Sequence, residues 1–322
     1  MDTAAGNQFG PELFRAHAAR LDALRARLGR VRVTVAEFER DQAAFGRLCG
    51  WILTGLEERY VRHDELVAYV EETFVLTVHG LTRVADGEQR LADFLGLPDE
   101  DTEPVPDEPP RSATEIVDGV LETVSSREWV EPQLAEAAPV AEFAAPVDDT
   151  VAALRAAGLD RAMTHVSALR QMLDDLTGMP DVVAKQADLW TGMAADLRAI
   201  GADLRRCLDE DLGAVGRPDV RAYLALMANN VEALRGLDAT CTAMTVITKA
   251  AGDLILLTRD IVRGLIGDLV ARVIVWAAGT TVVPLPVVVA RLATVVATAW
   301  RIDAYLTALV TSIANLSQSI DG

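Results

Sequence analysis

The chain is nearly without lysine: of its 30 basic residues only Lys185 and Lys249 are lysines, the rest arginines. Basic residues of any kind are outnumbered by 48 acidic ones, leaving a formal net charge of -18. A balance this acidic excludes binding to nucleic acid through its phosphates, and it excludes charge-driven docking on an anionic membrane. Cysteine is scarce as well. Cys49, Cys207 and Cys241 are far apart and show no CxxC spacing, which excludes a disulfide framework and reads as buried thiols. Aromatics make up only 5% of a chain that is 51% hydrophobic, so small aliphatic side chains do most of the packing. That mixture disfavours a sheet core, where β-branched and aromatic runs dominate. The opening "MDTAAGNQFGPELF" lacks a basic segment followed by an apolar one, so no cleavable signal peptide is expected.

Motifs of chemistry are missing too. His17, His63, His79 and His165 lie on separate stretches, with no HExxH or related metal-ligand spacing. The run His63, Asp64, Glu65 reads as a solvated helix start. No cysteine has a histidine near it in sequence, and no strand is predicted to present a GxSxG, P-loop or GxGxxG motif. The sequence therefore predicts no catalytic residue, no metal site, no cofactor and no enzyme.

What remains is helix after helix, and an all-α fold is expected: an N-terminal three-helix module followed by an elongated bundle of long antiparallel helices. The module, 1–96, opens with Pro11 in a first helical turn and Leu13, Leu21, Leu24 and Leu28 before Gly29. Thr34 with Glu37 has capping-box spacing and is read as the start of a second helix carrying Phe38, Phe45, Leu48, Ile52 and Leu56. A third is predicted over about 64–95, with Val67, Val70, Phe74, Val78, Leu81 and Leu91 on one face. The acidic, proline-rich stretch 97–111, "LPDEDTEPVPDEPPR", is a linker. A connecting segment, 112–149, starts at a Ser112/Glu115 capping box and is expected to be broken by Pro132, Pro139 and Pro146.

Long helices are predicted over about 150–177, 181–212 and 219–248, within a region spanning 150–322. The hairpin of 181–248 turns at "GAVGRPD", 213–219, where Gly213, Val215, Gly216, Arg217 and Pro218 supply the break. Trp190 and Gly192 form a Trp-x-Gly tripeptide, but an unbroken periodic run surrounds them, so Trp190 is expected in a helix core. The final hairpin, 253–318, consists of helices over about 253–278 and 287–318. They are joined by "GTTVVPLP", which lies within "VIVWAAGTTVVPLPVVVA", 273–290, eighteen residues without a charge, the lower limit for a spanning helix. Gly279, Pro284 and Pro286 interrupt it, and Trp276 and Trp300 flank the interruption. A buried hairpin and a membrane-inserting one both fit.

Several segments resemble those of a known family. "FGRLCGWILTGLEERYVRHDELVAYVEET", 45–73, is similar to the N-terminal helical modules of actinobacterial type VII (ESX) secretion effectors and polymorphic toxins. "SSREWVEPQLAE", 125–136, resembles the short connecting motif that follows such modules. "DLGAVGRPDVRAYLALMANNVEALRGL", 211–237, is similar to the turn and second helix of the WxG superfamily, with Val215, Gly216 and Arg217 at the Trp-x-Gly positions and Tyr223 retained. "VRGLIGDLVARVIVWAA" and "PLPVVVARLATVVATAW" resemble the apolar hairpin closing that trafficking region. The resemblance implies a type VII secretion substrate or effector trafficking module, synthesised in the cytoplasm and exported without a cleavable signal. It implies helix–helix contacts with the secretion machinery or a small helical partner, with Trp190 and Tyr223 packing the hairpin. Tyr60 and Asp64 have the Tyr-x-x-x-Asp/Glu spacing of the family's secretion signal. The family's toxins carry a catalytic C-terminal domain, for which the residues up to Gly322 leave no room. The alternatives are a membrane-inserting or pore-forming protein using 253–318, and an oligomeric scaffold in which copies of the chain are the partners.

Overall fold

The structure, a computed structural model, describes residues 11–36, 50–87, 90–96, 113–143, 180–277 and 285–321. It is all-α, with no strand among the described residues. In chain order the helices are α1 (Pro11–Ala36), α2 (Gly50–Ala85), α3 (Leu91–Phe94), α4 (Ala113–Ser126), α5 (Pro132–Phe143), α6 (Pro180–Leu212), α7 (Pro218–Ala277) and α8 (Leu285–Asp321). By packing, the residues fall into two units built from separated stretches. The first comprises Met1–Glu39, Glu58–Asp118 and Asp188–Thr245; the second comprises Arg40–Glu57, Gly119–Ala187 and Val246–Gly322.

The first unit is a four-helix bundle of α1 with the parts of α2, α6 and α7 that belong to it. Each helix buries residues three and four apart, the stripe that turns one helical face to a core. In α1 these are Phe14, Ala18, Leu21, Leu24, Leu28 and Val31; in α7 they are Val220, Tyr223, Met227, Val231, Leu234 and Leu237. Each fully buried Leu or Val contributes about 1.5–3 kcal/mol relative to exposure.

Side-chain pairs set the helix directions. Arg198 of α6 reaches Asp238 of α7 at 2.8 Å, and Thr191 meets Thr245 at 3.4 Å. As one number rises the other falls, the register of antiparallel neighbours. His17 with Asp211 and Arg27 with Asp203 place α1 antiparallel to α6. Arg15 with Asp86 and Arg32 with Asp64 do the same for α1 and α2, as His63 with Cys241 and Thr73 with Asn230 do for α2 and α7. Adjacent antiparallel helices are the up-down bundle arrangement. The α6–α7 turn is tight: Gly213 donates to the Asp209 carbonyl at 3.2 Å, and a Cβ at Gly213 would lie 2.5 Å from that oxygen. Pro218 then opens α7, where a missing N–H costs nothing.

In the second unit α5 packs on α8. The Trp129 indole donates to the Val124 carbonyl at 3.3 Å, and the Glu131 N–H donates to Ser312 Oγ at 2.8 Å. Ile255, Val262, Leu309, Ile313 and Leu316 supply its core.

Several helix boundaries differ from those the sequence suggested. α1 runs on through Gly29 and Thr34 to Ala36, so Thr34 lies inside a helix and not at the start of one. α2 is continuous through Tyr60 and Asp64, because no glycine or proline interrupts "RYVRHDEL" and its buried stripe runs unbroken from Tyr60 to Leu81. The acidic pair Asp64–Glu65 imitates a helix start without being one. Pro139 does not break its segment, since α5 continues through it. α7 is likewise one helix of 60 residues, with no boundary between 248 and 253. Gly252 inside it marks close packing, not an end: a Cβ there would come 3.2 Å from Val183 Cγ1. The helix expected over 150–177, Ser112, Glu37, Pro146, Gly279 and Pro284 lie outside the described residues.

Candidate functional site: two buried histidine–cysteine centres and an exposed apolar segment

The first bundle holds two polar centres that no motif in the sequence announces. In one, His17 of α1 faces Cys207 and Asp211 of α6, which are four residues apart and so share a helix face. His17 Nδ1 lies 2.8 Å from Asp211 Oδ2 and 3.4 Å from Cys207 Sγ, and the thiol donates to Asp211 Oδ2 over 3.3 Å. The other ring nitrogen, Nε2, is 3.0 Å from the Tyr223 hydroxyl of α7. Arg20, one turn beyond His17, holds the second carboxylate oxygen, Asp211 Oδ1, at 3.0 Å. A cavity of about 210 Å³ adjoins Cys207 and is lined by Arg20, Leu24, Asp203, Arg206 and Glu210.

Burial lowers the basicity of the His17 ring, and the Asp211 carboxylate offsets part of that loss. Burial, reinforced by the same carboxylate, pushes the Cys207 thiol up to about 12. Cys207 is therefore a neutral thiol at physiological pH, a poor nucleophile. The geometry also differs from a catalytic relay. A relay places nucleophile and acid on opposite nitrogens of the imidazole, whereas here thiol and carboxylate both converge on Nδ1.

The second centre joins Tyr60 and His63 of α2, Trp190 of α6 and Cys241 of α7. Tyr60 stacks on Trp190 with centroids 4.3 Å apart, and His63 meets the same indole edge-on at 5.6 Å. His63 Nε2 lies 3.1 Å from Cys241 Sγ, while its Nδ1 is buried with no hydrogen-bond partner among the described residues. Burial lowers the His63 pKa to about 4 and raises that of the Cys241 thiol. His63 is only 1% exposed, which corrects its reading as part of a solvated cluster. Helical periodicity through Val67, Val70 and Phe74 turns it inward beside charged neighbours that face out.

These placements bear on each residue singled out from sequence. Trp190 is 1% exposed inside α6, and Tyr223 is fully buried in α7. Their ring contacts run to α2 and α1 respectively. Val215 is buried at the turn, while Gly213, Gly216, Arg217 and Pro218 are exposed. Tyr60 is buried beneath Trp190, whereas Asp64 is partly exposed and pairs with Arg32 at 3.3 Å.

The second unit carries the opposite kind of feature. Val273, Ile274 and Val275 at the end of α7 are exposed, as are Val287, Val288, Val289, Leu292, Val296 and Trp300 in α8. Val275 and Trp300 each show 70% of their surface. Pro286 sits exposed in the first turn of α8, and the Arg291 guanidinium lies 5.5 Å over the half-buried Trp276 ring. No described helix is long and apolar enough to cross a membrane.

The local sequence signs of the two centres are helical spacings: Cys207 with Asp211 at four residues, and His17 with Arg20 and Tyr60 with His63 at three. What joins these pairs to their other partners arrives from helices remote in sequence. Against protein-family models, curated proteins and solved structures, the chain finds no match.

Proposed function

We propose that the chain acts without chemistry of its own, as a helical protein that works by helix–helix contact, and that it is a type VII secretion substrate or effector trafficking module. The observation that carries the interaction reading is the exposed aliphatic run at the end of α7 and the start of α8. A contiguous exposed apolar surface on a helical protein marks a place where another surface is bound. The secretion reading rests on the resemblance of the four segments, including the α6–α7 turn and the apolar segments flanking 279–283. Export in a type VII-competent actinobacterial host tests it. The chain is expected in the culture filtrate with a control substrate, and its retention in the cell while the control is exported would overturn the reading.

The same exposed run supports a second reading, insertion into a lipid interface. Since no described helix is suited to crossing a membrane, that insertion would be shallow, with Val287, Leu292 and Trp300 among acyl chains. Flotation with zwitterionic liposomes at neutral and mildly acidic pH distinguishes the readings. Absence from the lipid fraction in both conditions removes the second.

A further inference from the structure

We propose that His17 Nδ1, Cys207 Sγ and Asp211 Oδ2 form a binding site for a zinc-class divalent cation, with the fourth coordination position open to water from the adjoining cavity. The three atoms converge from two helices and all lie within 4.8 Å of one another. Their separations are 2.8, 3.3 and 3.4 Å. A tetrahedral zinc with ordinary bond lengths needs edges of roughly 3.4 to 3.6 Å between nitrogen, sulfur and oxygen ligands. The two sulfur edges therefore need only a small opening, and the nitrogen–oxygen edge roughly half an ångström more. The ion would replace the protons that now hold the trio together. The thiol proton leaves to water, and the ring proton moves from Nδ1 to Nε2, where Tyr223 oxygen can accept it.

The donor set selects the metal class. One thiolate, one imidazole and one carboxylate suit zinc and its neighbours, whereas magnesium and calcium take oxygen ligands. The surroundings fit as well. A histidine ligand is ordinarily oriented through its other nitrogen, and Tyr223 occupies that position at 3.0 Å. A ligating carboxylate is ordinarily anchored by its second oxygen, as Arg20 anchors Asp211 at 3.0 Å. Three protein ligands plus a cavity give an open site, the kind in which water remains at the metal. The convergence on one nitrogen, unsuited to a catalytic relay, is what a metal requires. His63 and Cys241 provide an internal control: they pair at 3.1 Å, and among the described residues no carboxylate completes a ligand trio with them.

The test is titration of the full chain, stripped with chelator, with cobalt(II) and then zinc(II). We expect one cobalt per chain, a thiolate-to-cobalt charge-transfer band with the visible bands of a tetrahedral site, and displacement by zinc. Cys207→Ser should abolish the charge-transfer band and Cys241→Ser should leave it intact. Tyr223→Phe should weaken binding about 10- to 100-fold, the usual effect of losing an orienting partner. Should Cys207→Ser fail to fold by circular dichroism, Asp211→Asn serves instead, since it keeps the shape but removes the charge. A tenfold or greater loss of cobalt affinity supports the site; unchanged affinity overturns it. No charge-transfer band in the parent chain, or a band that survives Cys207→Ser, also overturns the proposal.

Discussion

The two parts of α7 make opposite uses of the same aliphatic alphabet. Between Pro218 and Thr245 its buried apolar residues recur every three or four positions, and the outer face is mixed, with Arg221, Asn229, Glu232 and Arg235 beside Ala225 and Leu226. That part closes the first bundle, with Tyr223, Met227 and Leu234 inside. Toward Ala277 the sequence becomes "VIVWA", apolar on every side, and Val273, Ile274 and Val275 are exposed. A helix with one apolar face can satisfy it against three neighbours. One that is apolar all round leaves surface uncovered whichever face it packs. The difference separates a segment built to complete a core from one built to meet something else.

The largest test of that comparison is a pair of tryptophans. Trp190→Ala should cost about 3–5 kcal/mol, the loss typical of removing a large aromatic from a packed core. Trp300→Ala, at an exposed position, should stay within about 0.5 kcal/mol of the parent. Urea unfolding monitored by circular dichroism gives both values, and comparable losses would erase the distinction between the regions.

Acid should sharpen the contrast next. The folded bundle keeps His63 neutral down to about pH 4, whereas the unfolded chain protonates it near 6.5. Unfolding therefore takes up a proton in that window. The contribution is fully present above pH 6.5 and is lost as pH falls toward 4, amounting to about 3 kcal/mol. His63→Leu should remove that part of the slope of unfolding free energy against pH; an unchanged slope would show that His63 is solvated.

Charges on the apolar segment should act on association and not on folding. Val275→Asp with Leu292→Glu is expected to shift stability by less than about 1 kcal/mol, while reducing binding of an apolar-surface dye. A collapse of the fold would mean that these residues belong to a core. The smallest effect belongs to Arg198→Ala, which removes a pair with Asp238 whose arginine is 64% exposed. Such surface pairs contribute about 0.2–1 kcal/mol, measurable as a slight fall in the urea midpoint.

Much of the helical content was legible because periodicity is a local property. The stripe through Met193, Leu197, Ile200 and Leu204 marked α6, although Leu189, read into the same stripe, is exposed; the glycines and proline of 213–218 marked its turn. Boundaries were less legible where local chemistry imitates an end. Thr34 and the Asp64–Glu65 pair carry the signature of a start, yet helices run through them because packing over a long stripe outweighs a preference of about a kilocalorie. Pro139, which costs about 3 kcal/mol in a helix interior, carries the signature of a stop and lies inside α5 all the same.

By itself, then, the sequence determined an all-helical chain, the α6–α7 reversal, and the run of apolar residues around 273–300. These follow from hydrophobic period and from turn residues, which act over a few positions. Only the tertiary structure brought His17 to Cys207 and Asp211, and His63 to Cys241, across 190 and 178 positions of chain. The physical reason is that a side chain's neighbours in a bundle are fixed by which helices adjoin and in what register. One turn of slip in α1 would carry His17 away from Asp211 while leaving its own apolar stripe almost unchanged.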